Sequence, residues 1–317
     1  MSKRFAACAA STVFLSTVII AQPPVVRTAD PIKRGMQLSD FPRTVKVADN
    51  VYTYEDFHAG PEKFTTTNMF VVTSEGVLVA DGQGSVPETI GLVDAIRKVT
   101  SKPITTIVIA SDHGDHTAGN ASFPAGVHYI VHPTSKAILD RSAEAAARAG
   151  REGGWKLPAD AELVADKKTI AMGDEEIQIV FLGRSHTGGD LAVYLPRQKI
   201  LFLSEIYLNR VFPAMRSAYP SEWLKALDRA EAMQANIYIA GHGFTEAGPV
   251  SKEEIRAYHK AMEAVIAEAT RLYKAGVPVD QAIVQANWGE YASWTLASSQ
   301  GPIAIRKVYE ELTGQLK

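Results

Sequence analysis

Cysteine is nearly missing from this sequence: Cys8 is the single one in 317 residues. One thiol cannot close an internal disulfide, and beyond Cys8 the chain has neither a cysteine nucleophile nor a thiolate metal ligand. A surplus of charge is missing as well. Lys and Arg total 33 against 35 Asp and Glu, a net charge of −2, so no large basic face exists to attract nucleic acid. No repeat of solenoid period and no low-complexity tract interrupts the chain. What is present is ordinary for a globular protein: 46% apolar residues and 21% charged ones. The length allows one large domain or two modest ones.

The first residues differ from the rest. A short positive start at residues 1–4 precedes an uncharged run from Phe5 to Ala21, which ends at Gln22 and two prolines. This is the layout of a secretory signal peptide over residues 1–21, cleaved after Ala21. The competing reading, an uncleaved anchor, needs a longer apolar run. The expectation is an exported chain, periplasmic or secreted, with no stable membrane insertion after cleavage. Cys8 would be removed with the leader. Residues 22–43 read as a linker.

From residue 44 the pattern alternates between strands and helices. Residues 51–54, 69–72 and 77–80 are β-rich, with a turn at residues 74–76. A helix with Pro87 near its start carries Ile90, Val93, Ile96 and Val99 on one stripe. The apolar run 104–109 suits a strand buried on both faces. Another strand at 128–131 leads into a helix over 134–150, followed by a loop over 151–165. The second half gives strands near 169–172, 177–181, 191–195, 200–203 and 237–240. A helix lies between the last two, from Pro220 to about residue 234. From Ser251 a long amphipathic helix begins, with two shorter helices after residue 279. Two successive halves of this kind predict two sheets with helices outside them. Residues 44–250 would form that domain, and residues 251–317 helices that could cover it or pair with a second copy as a homodimer.

Histidines fall at strand ends in both halves. His113 and His116 flank Asp115 in SDHGDHTAGN at 111–120; His186 lies in GRSHTGGD at 183–190; His242 lies in GHG at 241–243. Glycines beside these rings let the backbone turn sharply. A lone histidine is more often a hydrogen-bonded structural residue, but three such motifs in one chain point to a metal. Imidazole and carboxylate at short range are what zinc takes, with an open position when it is catalytic.

Together these residues resemble the metallo-β-lactamase fold superfamily, over roughly residues 45–245. SDHGDH at 111–116, SHTGGD at 185–190, LSE at 203–205 and AGHG at 240–243 correspond in order to that family's histidine and carboxylate motifs. The resemblance implies an α/β, four-layer αββα sandwich with the site at one edge between the sheets. It also implies two metal positions. The first would use residues 111, 113 and 186, the second Asp115, His116 and His242, with a bridging carboxylate at Glu205.

Ser111 departs from the family pattern, which has a histidine there. The expectation is therefore one tightly held Zn2+ at Asp115, His116 and His242, with a second ion weak or absent. Glu205 or Asn209 would complete the shell. His113 and His186, freed from the first ion, become acid/base candidates, and Ser111 would hold the His113 ring or the substrate. Substrate contacts are expected from His58, Phe212 and Trp223, among further loop aromatics Phe57, Phe64, Phe70 and Trp155. His128, His132 and His259 read as structural.

The implied function is a zinc hydrolase that uses one zinc-bound hydroxide on a small molecule. SxHxDH also resembles that superfamily's chlorothalonil-type hydrolytic dehalogenases, which makes dehalogenation of an activated chloroaromatic its sharpest version. Hydrolysis of a small ester, lactone or amide fits the same residues. A non-catalytic binding protein on the same fold is the competing class.

Overall fold

The computed structural model describes residues 26–58, 60–150 and 157–316. The expected leader, Cys8 and Trp155 lie outside them. In chain order the strands are β1 (Arg43–Ala48), β2 (Val51–Phe57), β3 (Thr65–Thr73), β4 (Gly76–Ala80), β5 (Ile104–Ile109), β6 (His128–Val131), β7 (Glu162–Leu163), β8 (Lys167–Met172), β9 (Glu175–Phe181), β10 (Leu191–Leu195), β11 (Ile200–Leu208) and β12 (Ile237–His242). The helices are α1 (Val86–Val99), α2 (Gly114–Thr117), α3 (Pro133–Arg148), α4 (Pro220–Ala232), α5 (Gly248–Lys274), α6 (Val279–Gln285) and α7 (Ala297–Leu312).

The first half runs antiparallel from β1 to β4, then parallel through β5, β6 and β7. Parallel neighbours need crossovers, and α1 and α3 supply them. The start of α1 is fixed locally: the Ser85 side chain accepts from the Glu88 amide, a proline sits in the first turn, and Arg97 and Lys98 close the last. In the second half, β8 to β11 run antiparallel and β12 joins β11 in parallel through α4. The two halves meet where β12 pairs with β3, at His242 opposite Thr66. The strands thus form one curled sheet path, β7-β6-β5-β4-β3-β12-β11-β10-β9-β8.

Three apolar clusters define the layers. One, around Met69, Val71, Val108, Ile179, Val193 and Phe202, fills the space between the two halves. A second packs Leu92, Ile96 and Leu139, from α1 and α3, against the outer face of the first half. The third joins Leu201 and Leu203 of β11 to Trp223, Met262, Val265, Ile305 and Val308, from α4, α5 and α7. The result is helices, sheet, sheet, helices, as in the expected sandwich. The C-terminal helices are part of its outer layer.

Several boundaries differ from the sequence reading: the loop expected over 151–165 carries the short strand β7, which pairs with β6, and β12 runs on to His242. β11 continues to Leu208 rather than ending at residue 203. Ser204 and Glu205 interrupt an apolar run and read as a strand end, yet both are buried because they face other polar groups rather than water. Ser204 takes φ +46, and the register with β12 shifts there. α5 begins at Gly248, three residues before Ser251, because a proline in its first turn is pre-set for helical φ.

Candidate metal centre and its cavity

Three segments deliver the histidines. Where β5 ends, the chain turns at Ser111 and enters the single-turn helix α2. His113 caps that turn, its carbonyl accepting from the His116 amide (3.0 Å) and from Thr117 Oγ1 (2.8 Å). Asp115 and His116 are thereby carried side by side. The β9–β10 loop brings His186, held in shape by Asp190, which accepts from Ser185 Oγ (2.7 Å), the Thr187 amide (2.6 Å) and Thr187 Oγ1 (2.7 Å). β12 ends on His242.

Each ring is oriented from behind. His242 Nδ1 lies 3.0 Å from the Thr65 carbonyl, which can only accept, so Nδ1 carries the proton and Nε2 faces the site. His116 Nδ1 lies 3.2 Å from the Asp81 carboxylate. Asp81, at φ +64 just beyond β4, also accepts from the Ala110 amide (2.7 Å), the Ser111 amide (3.2 Å) and the Ser204 hydroxyl. The His186 ring stands edge-on to the Trp223 indole, centroids 5.2 Å apart. His58 stacks on Phe64 and places Nε2 3.2 Å from Asp115 Oδ2.

The side chains converge as two groups that share Glu205. In one, ligand atoms of Asp115, His116, Glu205 and His242 lie within 4.8 Å of one another; in the other, those of His113, His186 and Glu205 do. His242 Nε2 is 3.2 Å from Asp115 Oδ2 and 3.4 Å from Glu205 Oε1. His186 Nε2 is 3.0 Å from Glu205 Oε1, and His113 Nδ1 is 3.1 Å from Oε2 and 3.0 Å from His186 Nε2. A tetrahedron with ligand bonds of roughly 2.0–2.1 Å has edges of about 3.3 Å, so this spacing suits a zinc-sized ion in either group.

The donor chemistry fits as well. His116 Nε2 is buried and has no hydrogen-bond partner among the described residues. It lies 3.8 Å from Asp115 Oδ2, on the inner side of its group. A buried, unsatisfied imidazole nitrogen is costly unless something binds it. The charges point the same way. Burial should push Glu205 up, but His186 and His113 hold it well below the ordinary carboxylate range. Asp115 is also held low: burial and Glu205 act against this, and His116, His242 and His58 outweigh them. For His113 burial favours the neutral ring, but the Glu205 charge and hydrogen bond win and raise it to about 10. His242 reaches about 10 through Asp115 and Glu205, again against burial. Buried Glu205 and half-buried Asp115 thus demand positive charge, which protons or a cation can supply.

A cavity of about 200 Å³ opens onto both groups. Phe64, Leu208, Val211, Ala214 and Leu296 form its apolar wall, and Arg216 and Gln300 add polar groups that belong to neither candidate ligand group.

No family model matches the chain. It is 24% identical over 207 residues to the 2,4-dinitroanisole O-demethylase subunit alpha of Nocardioides sp. (strain JS1661), covering 65% of this chain and 57% of that protein. It is 23% identical over 214 residues to metallo-β-lactamase IND-1 of Chryseobacterium indologenes, covering 65% of this chain and 84% of that protein. The solved metallo-β-lactamase of Pontibacter korlensis superposes with a TM-score of 0.57 at 20% identity, covering 69% of this chain and 98% of that one. The chain has the metallo-β-lactamase fold. A larger member of this fold, the sec-alkylsulfatase Pisa1 from Pseudomonas sp., superposes with a TM-score of 0.68 at 15% identity, over 90% of this chain and 52% of that one. The chain therefore spans little more than half the length of the O-demethylase subunit and of the alkylsulfatase.

Against this site, several expectations need correction. Ser111 holds neither the His113 ring nor a substrate: it is fully buried, and its Oγ donates to Glu205 Oε2 at 2.5 Å. His113 and His186 are not free; they close on Glu205. Asn209 is not among the residues lining the cavity: its amide nitrogen donates to the Phe244 carbonyl at 2.6 Å, while its Oδ1 is buried with no hydrogen-bond partner among the described residues. Phe212 is wholly buried and packs on Trp288, and Trp223 is wholly buried with Nε1 donating to the Ile206 carbonyl at 2.8 Å. Phe70 is core too, Phe57 packs on Phe41, and only Phe64 of the described loop aromatics lines the cavity. The sequence reading missed Asp81, Arg216, Leu296 and Gln300. Only Asp81, an acid directly after an apolar strand, left a readable signal.

Proposed function

We propose that the chain is a zinc-dependent hydrolase of a compact small molecule, with Glu205 common to two adjacent metal positions. The observation that carries this is the unpartnered, buried His116 Nε2 facing Asp115, Glu205 and His242. A divalent ion in such a site acidifies water toward neutrality and offsets developing negative charge. The protein's part is placement. Asp115, His116 and His242 would hold one ion and His113, His186 and Glu205 the other. Ser111 fixes the Glu205 carboxylate. The Thr65 carbonyl sets the His242 tautomer, and the Asp81 carboxylate beside His116 Nδ1 favours a proton on that nitrogen. The apolar wall limits water around the reacting centre. His58 lines the cavity outside both ligand groups, placed to pass a proton to or from a leaving group.

The sharper reading is hydrolytic displacement at an electron-poor aromatic carbon, such as dechlorination. A carbon–oxygen bond forms, the carbon–chlorine bond breaks, and chloride leaves with the bonding pair, while the protons of water pass to solvent. The relative named for dinitroanisole supports it, since that compound is an electron-poor aryl ether. A second reading, hydrolysis of a cyclic amide, rests on the relatives named as metallo-β-lactamases.

The test is metal analysis of the purified chain, followed by assay of parent and His116→Ala on 2,4-dinitroanisole, 1-chloro-2,4-dinitrobenzene, a chromogenic β-lactam and 4-nitrophenyl acetate. Bound zinc, with turnover of one class that disappears in the variant, is the expected result. A metal-free protein, or equal turnover in both, overturns the proposal.

A further inference from the structure

Leu296 and Gln300 bring the far end of the chain into the cavity wall. The backbone around Leu296 is fastened there: the Phe212 amide donates to the Thr295 carbonyl (2.8 Å), and the Leu296 amide to Glu62 Oε2 (2.7 Å). Leu296 itself sits in the left-handed region, φ +68, as the cap of α7. This brings Gln300, in the first turn of α7, onto the cavity. Gln300 Oε1 is buried and has no hydrogen-bond partner among the described residues. A half-turn of the terminal amide exchanges its oxygen and nitrogen, so Gln300 can place a donor where Oε1 now stands. Arg216 lines the same cavity, is exposed, and forms no ion pair or hydrogen bond among the described residues. Most other arginines of the chain are matched to a carboxylate, as in Arg34–Glu246, Arg184–Glu222 and Arg210–Glu254.

An unmatched guanidinium and an unsatisfied amide, sharing one cavity with apolar side chains and the candidate metal ligands, describe the chemistry of a ligand. We infer that Arg216 and Gln300 determine specificity by binding an oxyanionic group, carboxylate or sulfonate, on a compact and otherwise apolar substrate. The planar guanidinium matches two oxyanion oxygens, and the Gln300 amide adds a donor. The apolar body lies against Leu208, Val211 and Leu296, and its other end faces the metal positions. A cavity of about 200 Å³ fits one ring rather than a drug-sized molecule. This inference rests on the hydrolase reading for the reacting end, but Arg216 and Gln300 belong to neither candidate ligand group, and their role is measured separately.

Calorimetry would follow benzoate, benzenesulfonate and neutral benzyl alcohol, on zinc-loaded protein and on protein stripped with a chelator. Arg216→Met keeps an apolar stem, Arg216→Lys keeps a charge, and Gln300→Leu removes the amide. The expected result is preference for the two anions over benzyl alcohol. Arg216→Met should weaken the anions about tenfold and leave benzyl alcohol within about twofold, with Arg216→Lys intermediate and Gln300→Leu a smaller loss. Circular dichroism and unchanged zinc content would show that each variant is folded. Benzoate binding no tighter than benzyl alcohol, or equally tight in parent and Arg216→Met, overturns the inference. If the anions bind only to zinc-loaded protein and ignore Arg216, they are metal ligands and the inference also fails. A protein that holds no zinc yet binds benzoate through Arg216 upholds this inference while the hydrolase reading falls.

Discussion

Replacing Ser111 with alanine should weaken one of the two proposed zinc sites while leaving the other nearly intact. Ser111 Oγ donates to Glu205 Oε2 at 2.5 Å, and both residues are buried. A buried hydrogen bond to a charged group contributes roughly 1.5–3 kcal/mol, which corresponds to about a tenfold to 150-fold change in affinity. The same range follows from the general cost, roughly 10–100-fold, of removing a group that orients a metal ligand. Glu205 Oε2 is the oxygen nearest His113 Nδ1, whereas Oε1 faces His242 and His186. The loss should therefore fall mainly on the His113–His186–Glu205 group. Competition with a chromogenic chelator, with zinc content measured by mass spectrometry, would resolve two binding steps in the parent and a shift in one of them in Ser111→Ala. A parent that saturates at one zinc would refute the reasoning and restore a single-ion site. So would two steps that shift equally, or none that shifts.

The remaining predictions concern stability and loop geometry. His132 caps α3 by accepting from the Thr134 amide through Nδ1, and burial lowers its pKa below the ordinary 6.5. Below about pH 6.5 the unfolded chain binds this proton more readily, so this contribution to stability falls as pH drops through that region and is constant above it. His132→Asn keeps a capping acceptor that does not titrate, and should flatten that part of the melting temperature against pH; an unchanged slope would count against the cap. Gly243 has φ +85, and a Cβ there would lie 2.2 Å from the Asn209 carbonyl oxygen. Gly243→Ala should cost about 1–3 kcal/mol in urea unfolding and weaken zinc binding through the adjacent His242; retention of both would show that the loop yields.

What could be read beforehand was what is close in sequence. Asp115 and His116 are neighbours on one turn, and the glycines around His186 and His242 mark sharp strand ends. The sandwich followed from the order of strands and helices. The distant ligands His186, Glu205 and His242 were grouped only through the family resemblance, and the hydrogen bonds that set them could not be read at all. Ser111 meets Glu205 ninety-four residues later. Its loss of an imidazole looked like a lost ligand, whereas the longer carboxylate reaches into the same space. Asn209 and Glu205 both offered an oxygen, and only the fold shows that Glu205 stands among the histidines while the Asn209 amide nitrogen ties the loop carrying Phe244. Phe212 and Trp223 could not be told from pocket aromatics, since burial in a core and lining of a cavity favour the same side chains.

The meeting of the two sheet halves at Thr66 and His242 has a consequence for how the protein could be divided. Asp115, His116 and His113 come from the first half; His186, Glu205 and His242 come from the second, and each ligand group draws on both. A chain cut in the segment between β7 and β8 would leave two fragments, neither with a full ligand set. Zinc would then act as a rivet through the seam, and fragment reassembly would depend on the ion's concentration as well as on the apolar faces.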